Sequence, residues 1–173
     1  MSTTNDFSIN GFSSVCIHGG NIPDPNYAHL TPIYASSTFV FDTAEQGMDR
    51  FSGKEKGYIY SRWGNPGFTV AEQKIAALEG YGLKDDKGRP LALKAILHAS
   101  GMAALTTLFL SNLKAGDKII SHFSLYGGTD ELFGKILPGL GIETIMTDMH
   151  DTGRMAEAIK ANPSAKLMYI ETP

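Results

Sequence analysis

Between residues 91 and 170, short apolar runs with strand character alternate with stretches of helical spacing, and this rhythm restricts the fold more than any other feature of the chain. Strand-like runs fall at 95–99, 118–121, 143–147 and 167–170, and helical stretches at 102–113, 129–137 and 154–161 separate them. Strands held apart by such helices cannot be hairpin partners. The chain has to cross over between them, which gives a mainly parallel sheet flanked by helices. The expected fold class is therefore α/β. Ala115-Gly116-Asp117 and Pro138-Gly139-Leu140-Gly141 supply the breaks that end helices before the next strand. A sheet of this kind binds ligands beyond the carboxyl ends of its strands, where loops lead into helix N-termini. That rule directs attention to Ser100-Gly101-Met102, to Ser124-Leu125-Tyr126-Gly127-Gly128-Thr129 and to Glu171-Thr172-Pro173.

The N-terminal third reads differently. From Met1 to about Gly57 the chain is rich in Ser, Thr, Asn, Gly and Pro and shows no sustained periodicity, so it is expected to be an extended arm. Ile33, Tyr34, Phe39, Val40 and Phe41 are out of place in a wet tail and point to docking on a neighbour. After Asn65-Pro66-Gly67, the spacing of Val70, Ile75, Ala76 and Leu78 predicts a helix that ends at Gly80. Residues 81–90, with Lys84, Asp85, Asp86, Lys87 and Gly88, read as a solvated loop.

Charge and composition remove several classes of function. A net charge of -3 with scattered Lys and Arg gives no field for a phosphate backbone, so nucleic acid is not an expected partner. Residues 1–12 lack the basic start and apolar block of a signal peptide, and no run has the length of a membrane span, so no membrane association is expected. Cys16 is the single cysteine, which fits a reducing, cytoplasmic location and an inert thiol. His18, His29, His98, His122 and His150 have no metal-ligand spacing, and no metal is expected. Asp148, His150 and Asp151 read as a solvated strand-to-helix loop.

Three segments could carry chemistry. Ser100-Gly101-Met102 opens a helix after a strand, where unpaired amides attract an anion and Gly101 allows close approach; Ser100 could equally be a simple N-cap. Tyr126, beside Gly127 and Gly128, could offer its face to a flat ligand or pack on its own helix. Tyr60 and Arg62, two apart, would face the same way in an extended segment and could grip a phosphate, or they could be a surface arginine with packed aromatics.

Taken in order, these segments resemble a known family. Ile17-His18-Gly19-Gly20, Thr31-Pro32-Ile33-Tyr34 with Ser37-Thr38-Phe39, Tyr60-Ser61-Arg62 with Asn65-Pro66, Leu78-Glu79-Gly80, Ser100-Gly101-Met102, Leu125-Tyr126-Gly127-Gly128-Thr129 and Glu171-Thr172-Pro173 are similar, in register, to the Cys/Met metabolism (transsulfuration) family of pyridoxal-phosphate enzymes. That family includes cystathionine γ-synthases and lyases, methionine γ-lyases and O-acetylhomoserine sulfhydrylases. The resemblance implies the N-terminal part of a fold type I transferase: residues 1–60 as an arm contacting a neighbouring subunit, and 61–173 as an incomplete cofactor-binding domain. It implies pyridoxal 5′-phosphate as cofactor, held by Ser100 and the amides of Gly101 and Met102, with Tyr126 stacked on the ring and acting at the leaving group, and Glu171 in the wall of the site. It further implies that Tyr60 and Arg62 reach the phosphate of a neighbouring subunit in a homo-oligomer, a dimer of dimers in many relatives, and that the substrate is a small amino acid undergoing γ-elimination or γ-replacement. Relatives carry their Schiff-base lysine beyond the position equivalent to Pro173, so the 173-residue chain by itself is expected to be inactive. Gly67 stands where relatives usually carry threonine, the 81–90 loop is longer than usual, and Gly128 replaces a cysteine common in methionine γ-lyases, which inclines the reading toward a sulfhydrylase or synthase. The competing expectation is a complete, non-catalytic α/β module that binds a small anion or a full-length relative.

Overall fold

The structure, a computed structural model, describes residues 11–172. Residues 1–10 of the expected arm and Pro173 of the Glu171-Thr172-Pro173 segment lie outside the described residues. The chain divides into two compact units, one ending at Leu97 and the other beginning at His98.

Among the described residues the first unit holds three helices: α1 (Phe12–His18), α2 (Ala44–Phe51) and α3 (Pro66–Glu79). Asn65 starts α3 as expected. Its Oδ1 accepts from the Gly67 amide at 2.9 Å, Pro66 occupies the first turn, and its Nδ2 donates to the Tyr34 carbonyl and to Ser61 Oγ, both at 3.1 Å. A buried asparagine with both ends satisfied thus pins the preceding chain to the helix it caps. α1 lies on α3, where Lys74 donates to the terminal carbonyls of Cys16 and Ile17 at 3.2 and 2.7 Å. Gly20 has a left-handed φ of 70°, and a Cβ there would stand 2.3 Å from the Lys74 backbone nitrogen, so only glycine permits this approach.

Two expectations need correction here. The arm is not extended throughout, because α1 and α2 interrupt it. α2 is set by a reciprocal cap, with Thr43 Oγ1 accepting from the Gln46 amide at 3.1 Å and Gln46 Oε1 accepting from the Asp42 amide at 2.8 Å. Eight residues are too few to show a sustained apolar period, so the Thr43-x-x-Gln46 cap is the only mark this helix leaves in the sequence. The predicted strand at 95–99 is also absent. A strand exists only through its partner, and no backbone ladder forms there among the described residues; the Leu97 amide donates instead to the Glu72 carboxylate at 3.0 Å.

The second unit realises the strand–helix rhythm. α4 (Gly101–Asn112) leads to β1 (Lys118–His122), followed by α5 (Gly127–Glu131), a π-helical turn (Leu132–Ile136), α6 (Leu137–Gly139), β2 (Glu143–Thr147), α7 (Thr152–Ala161) and β3 (Ala165–Tyr169). The three strands are parallel in the order β2-β1-β3, with Ile120 opposite Ile145 on one side and Met168 on the other. β1 is central and buried over four of its five residues, with Ile119 and Ile120 in the core and Ser121 and His122 as buried polar residues at its carboxyl end, as expected for the covered middle strand of a parallel sheet. Gly116 (φ 90°) and Gly141 (φ 76°) make the turns before β1 and β2, and the Gly116 amide donates to the Gly141 carbonyl at 2.8 Å. The core consists of Phe109, Leu113, Ile119, Leu132, Phe133, Leu137 and Ile142. Phe109, Phe133 and Tyr169 form an edge-to-face trio with centroids 4.9 to 5.4 Å apart, so the sheet and two helices are locked together by aromatic contact.

Candidate cofactor site

At the carboxyl end of this sheet, three loops converge. Ser100 is the N-cap of α4: its Oγ accepts from the Ala103 amide at 3.1 Å and its carbonyl accepts from the Ala104 amide at 3.0 Å. The cap therefore uses up the third and fourth amides and leaves those of Gly101 and Met102 without an acceptor among the described residues. Gly101 is exposed, and no other heavy atom comes within 4 Å of the place its Cβ would take. Two free donors at the positive end of a 12-residue helix, with open space before them, are an arrangement that attracts an anion. Of the two readings open for Ser100, the side chain acts as the cap.

Tyr126 precedes α5 and is 68% exposed, so it does not pack into the interior. Its ring lies against Gly128, where a Cβ would meet Tyr126 Cε1 at 2.8 Å and Met102 Sδ at 3.1 Å. A side chain at position 128 would push the ring off the position it holds beside the start of α4.

The backbone that carries the ring is tethered by Glu171, just past β3. One carboxylate oxygen accepts from the Tyr126 amide at 2.5 Å, and the other accepts from the Thr129 hydroxyl at 2.6 Å and the Tyr169 hydroxyl at 2.8 Å. Burial works to raise the Glu171 pKa, but the bonds from Thr129, Tyr126 and Tyr169 outweigh it and hold the carboxyl below its ordinary value. Burial and then the bond to Glu171 push the Tyr169 hydroxyl up to about 12, so it stays a donor. Thr129, fully buried, and Tyr169 are members of this site that the sequence did not single out for a role. In the sequence Thr129 follows Gly127-Gly128 with nothing to mark a partner, and Tyr169 reads as one more apolar strand residue; their shared target appears only once β3 lies beside β1.

Tyr60 and Arg62 belong to the first unit. Tyr60 bridges Thr38 in an antiparallel pairing, and the Trp63 and Gly64 amides turn back onto its carbonyl, so Arg62 sits in a turn and not in the extended segment expected. The two side chains still come together, with the guanidinium 5.3 Å from the Tyr60 ring centre. Both are exposed, and Arg62 has no carboxylate partner among the described residues.

Residues 13–173 match the family model described as Cys/Met metabolism PLP-dependent enzyme. The chain belongs to that family. Among curated relatives, it is 40% identical over 168 residues to an L-methionine gamma-lyase of Porphyromonas gingivalis, covering 97% of this chain and 39% of the relative. An O-acetyl-L-homoserine sulfhydrylase of Corynebacterium glutamicum is 36% identical over 163 residues, covering 94% of this chain and 35% of the relative. The structure of an O-acetylhomoserine (thiol)-lyase from Campylobacter jejuni superposes with a TM-score of 0.76 at 28% identity, over 91% of this chain and 35% of that one, and it carries an N′-pyridoxyl-lysine-5′-monophosphate. The chain thus spans well under half the length of these relatives. The fold is a fragment of the fold type I architecture, and the cofactor of the family is pyridoxal 5′-phosphate. The two free amides and the exposed ring fit its phosphate and its pyridine face respectively. Among the described residues no helix is long and apolar enough to cross a membrane.

Proposed function

We propose that this chain forms the phosphate- and ring-holding part of a pyridoxal-phosphate enzyme that performs γ-elimination or γ-replacement on sulfur amino acids or O-acylhomoserine. The observation that carries this reading is the pair of unpaired amides at Gly101 and Met102 beside the exposed Tyr126 ring. When bound, the cofactor acts as an electron sink for carbanions at the substrate. The chain's own residues bind and orient. Gly101 and Met102 donate to the phosphate, the Tyr126 ring covers one face of the pyridine, and its hydroxyl holds a proton near the leaving group. Glu171 fixes the Tyr126 backbone so that the ring stays in place. Arg62 and Tyr60, exposed and already paired, reach the phosphate of a neighbouring subunit in a homo-oligomer.

Gly101→Pro tests the central claim. Proline is favoured at the first helical position and Ser100 already has the extended backbone it needs (φ -160°, ψ 164°), so the fold survives while one donor disappears. Pyridoxal-phosphate affinity, followed by absorbance titration, should fall about tenfold, in line with the roughly 1.5 kcal/mol lower bound for a hydrogen bond to a charged group. Unchanged affinity in a folded variant would remove the phosphate seat from α4. Borohydride reduction of the 173-residue chain with the cofactor should give no adduct at any single lysine, since the resemblance places the Schiff-base lysine outside it; a specific adduct would overturn that assignment.

A further inference from the structure

We propose that His122, Asp148 and His150 form a binding site for a divalent transition-metal ion, zinc by the chemistry of its donors, on the β2 side of the sheet. The three residues come from the end of β1 and the loop after β2, 26 or more positions apart in sequence for the His122 pairs, which is why spacing gave no sign of them. The fold brings one nitrogen of each imidazole and a carboxylate oxygen within 4.8 Å of one another. Asp148 Oδ1 and His150 Nδ1 are 3.2 Å apart, close to the roughly 3.3 Å edge of a tetrahedron with ligands at 2.0–2.1 Å from zinc. The His122 and His150 rings meet at 77° with centroids 4.6 Å apart.

The second observation concerns His122 alone. The residue is 5% exposed, and its Nε2 is the buried side-chain atom left without any hydrogen-bond partner among the described residues. Its Nδ1 lies 3.2 Å from both the Thr147 carbonyl and the Met149 amide. One nitrogen cannot donate to the first and accept from the second at once. If it accepts, Nε2 carries a buried proton with nowhere to go. If it donates to Thr147, Nε2 presents a buried lone pair. A cation bound through Nε2 satisfies the second state and does nothing for the first. An imidazole that donates one N–H to a backbone carbonyl and ligates through the other nitrogen is the ordinary outer-shell arrangement of a metal-bound histidine. Two imidazoles and one carboxylate suit zinc and leave a position for water. His150, 81% exposed in its side chain, leaves the entry path open.

The experiment uses the untagged 173-residue chain after chelator treatment. Zinc titration by calorimetry, and cobalt(II) titration followed by its visible ligand-field bands, should each report one ion per chain, with zinc displacing cobalt. His150→Gln and Asp148→Asn alter partly or fully exposed side chains and leave the core intact; each should weaken binding by at least the roughly 10- to 100-fold that loss of an outer-shell partner costs. His122→Asn should abolish it, and if that variant does not fold, the other two carry the test. No uptake of either ion by the folded chain, or uptake that none of these substitutions weakens, overturns the proposal. Pyridoxal-phosphate affinity should not change in His150→Gln, which separates this site from the one at α4.

Discussion

Glu171 is held as an anion at the rim of an aromatic core by donors from three places: a backbone amide at Tyr126 and the hydroxyls of Thr129 and Tyr169. Glutamine would keep one oxygen as acceptor and turn an N–H group toward donors. Glu171→Gln should therefore lower stability by about 1 kcal/mol, measured by urea unfolding, with Tyr126 released from its seat. The pH dependence follows from the directions of the shifts. The depressed Glu171 pKa means its contribution is fully present above the ordinary value of 4.5 and is lost as pH falls through the lower folded value. The raised Tyr169 pKa means its contribution is complete below 10.0 and is lost as pH rises toward about 12. Thermal midpoints should show both slopes in the native chain, and Glu171→Gln should flatten the acid one. At this scale the sequence disclosed the groups that stand at strand and helix ends, Ser100, Gly101, Tyr126 and Glu171, because turn chemistry marks such places. It did not disclose Thr129 or Tyr169, whose partner is more than 40 residues distant for the first and hidden among strand residues for the second.

Elements were legible where one physical cause dominated. β1 and β2 are short strands centred on Ile119-Ile120 and Ile145-Met146, each entered through a glycine turn, and α3 and α4 open on capping side chains, so these were readable from composition and spacing. α2 depends on a local Thr43–Gln46 exchange, and residues 95–99 have strand character with no ladder partner; neither outcome follows from periodicity. Ser100→Ala should cost about 1 kcal/mol through loss of the α4 cap, and it should also free the Ala103 amide toward the anion seat. Phe109→Ala removes the shared member of the aromatic trio and should cost about 3 to 5 kcal/mol, read as a shift in urea midpoint. The π-helical turn after α5 carries Leu132 and Phe133 into the core, between buried Thr129 on one side and buried Leu137 on the other.

For the whole molecule, the distribution of apolar surface matters most. In the first unit, Leu30, Ile33, Val40, Phe51 and Trp63 are exposed, Ile33 to 95%, and the proposed homo-oligomer would cover them with a neighbouring subunit. Sedimentation should find association that grows with concentration, and Ile33→Asp together with Val40→Asp should suppress it. The tether between Tyr126 and Glu171 also imposes an order of events during synthesis. The anchoring carboxylate emerges from the ribosome 45 residues after the ring it positions. Until that carboxylate has emerged, the Tyr126 amide lacks its acceptor and the ring lacks its tether.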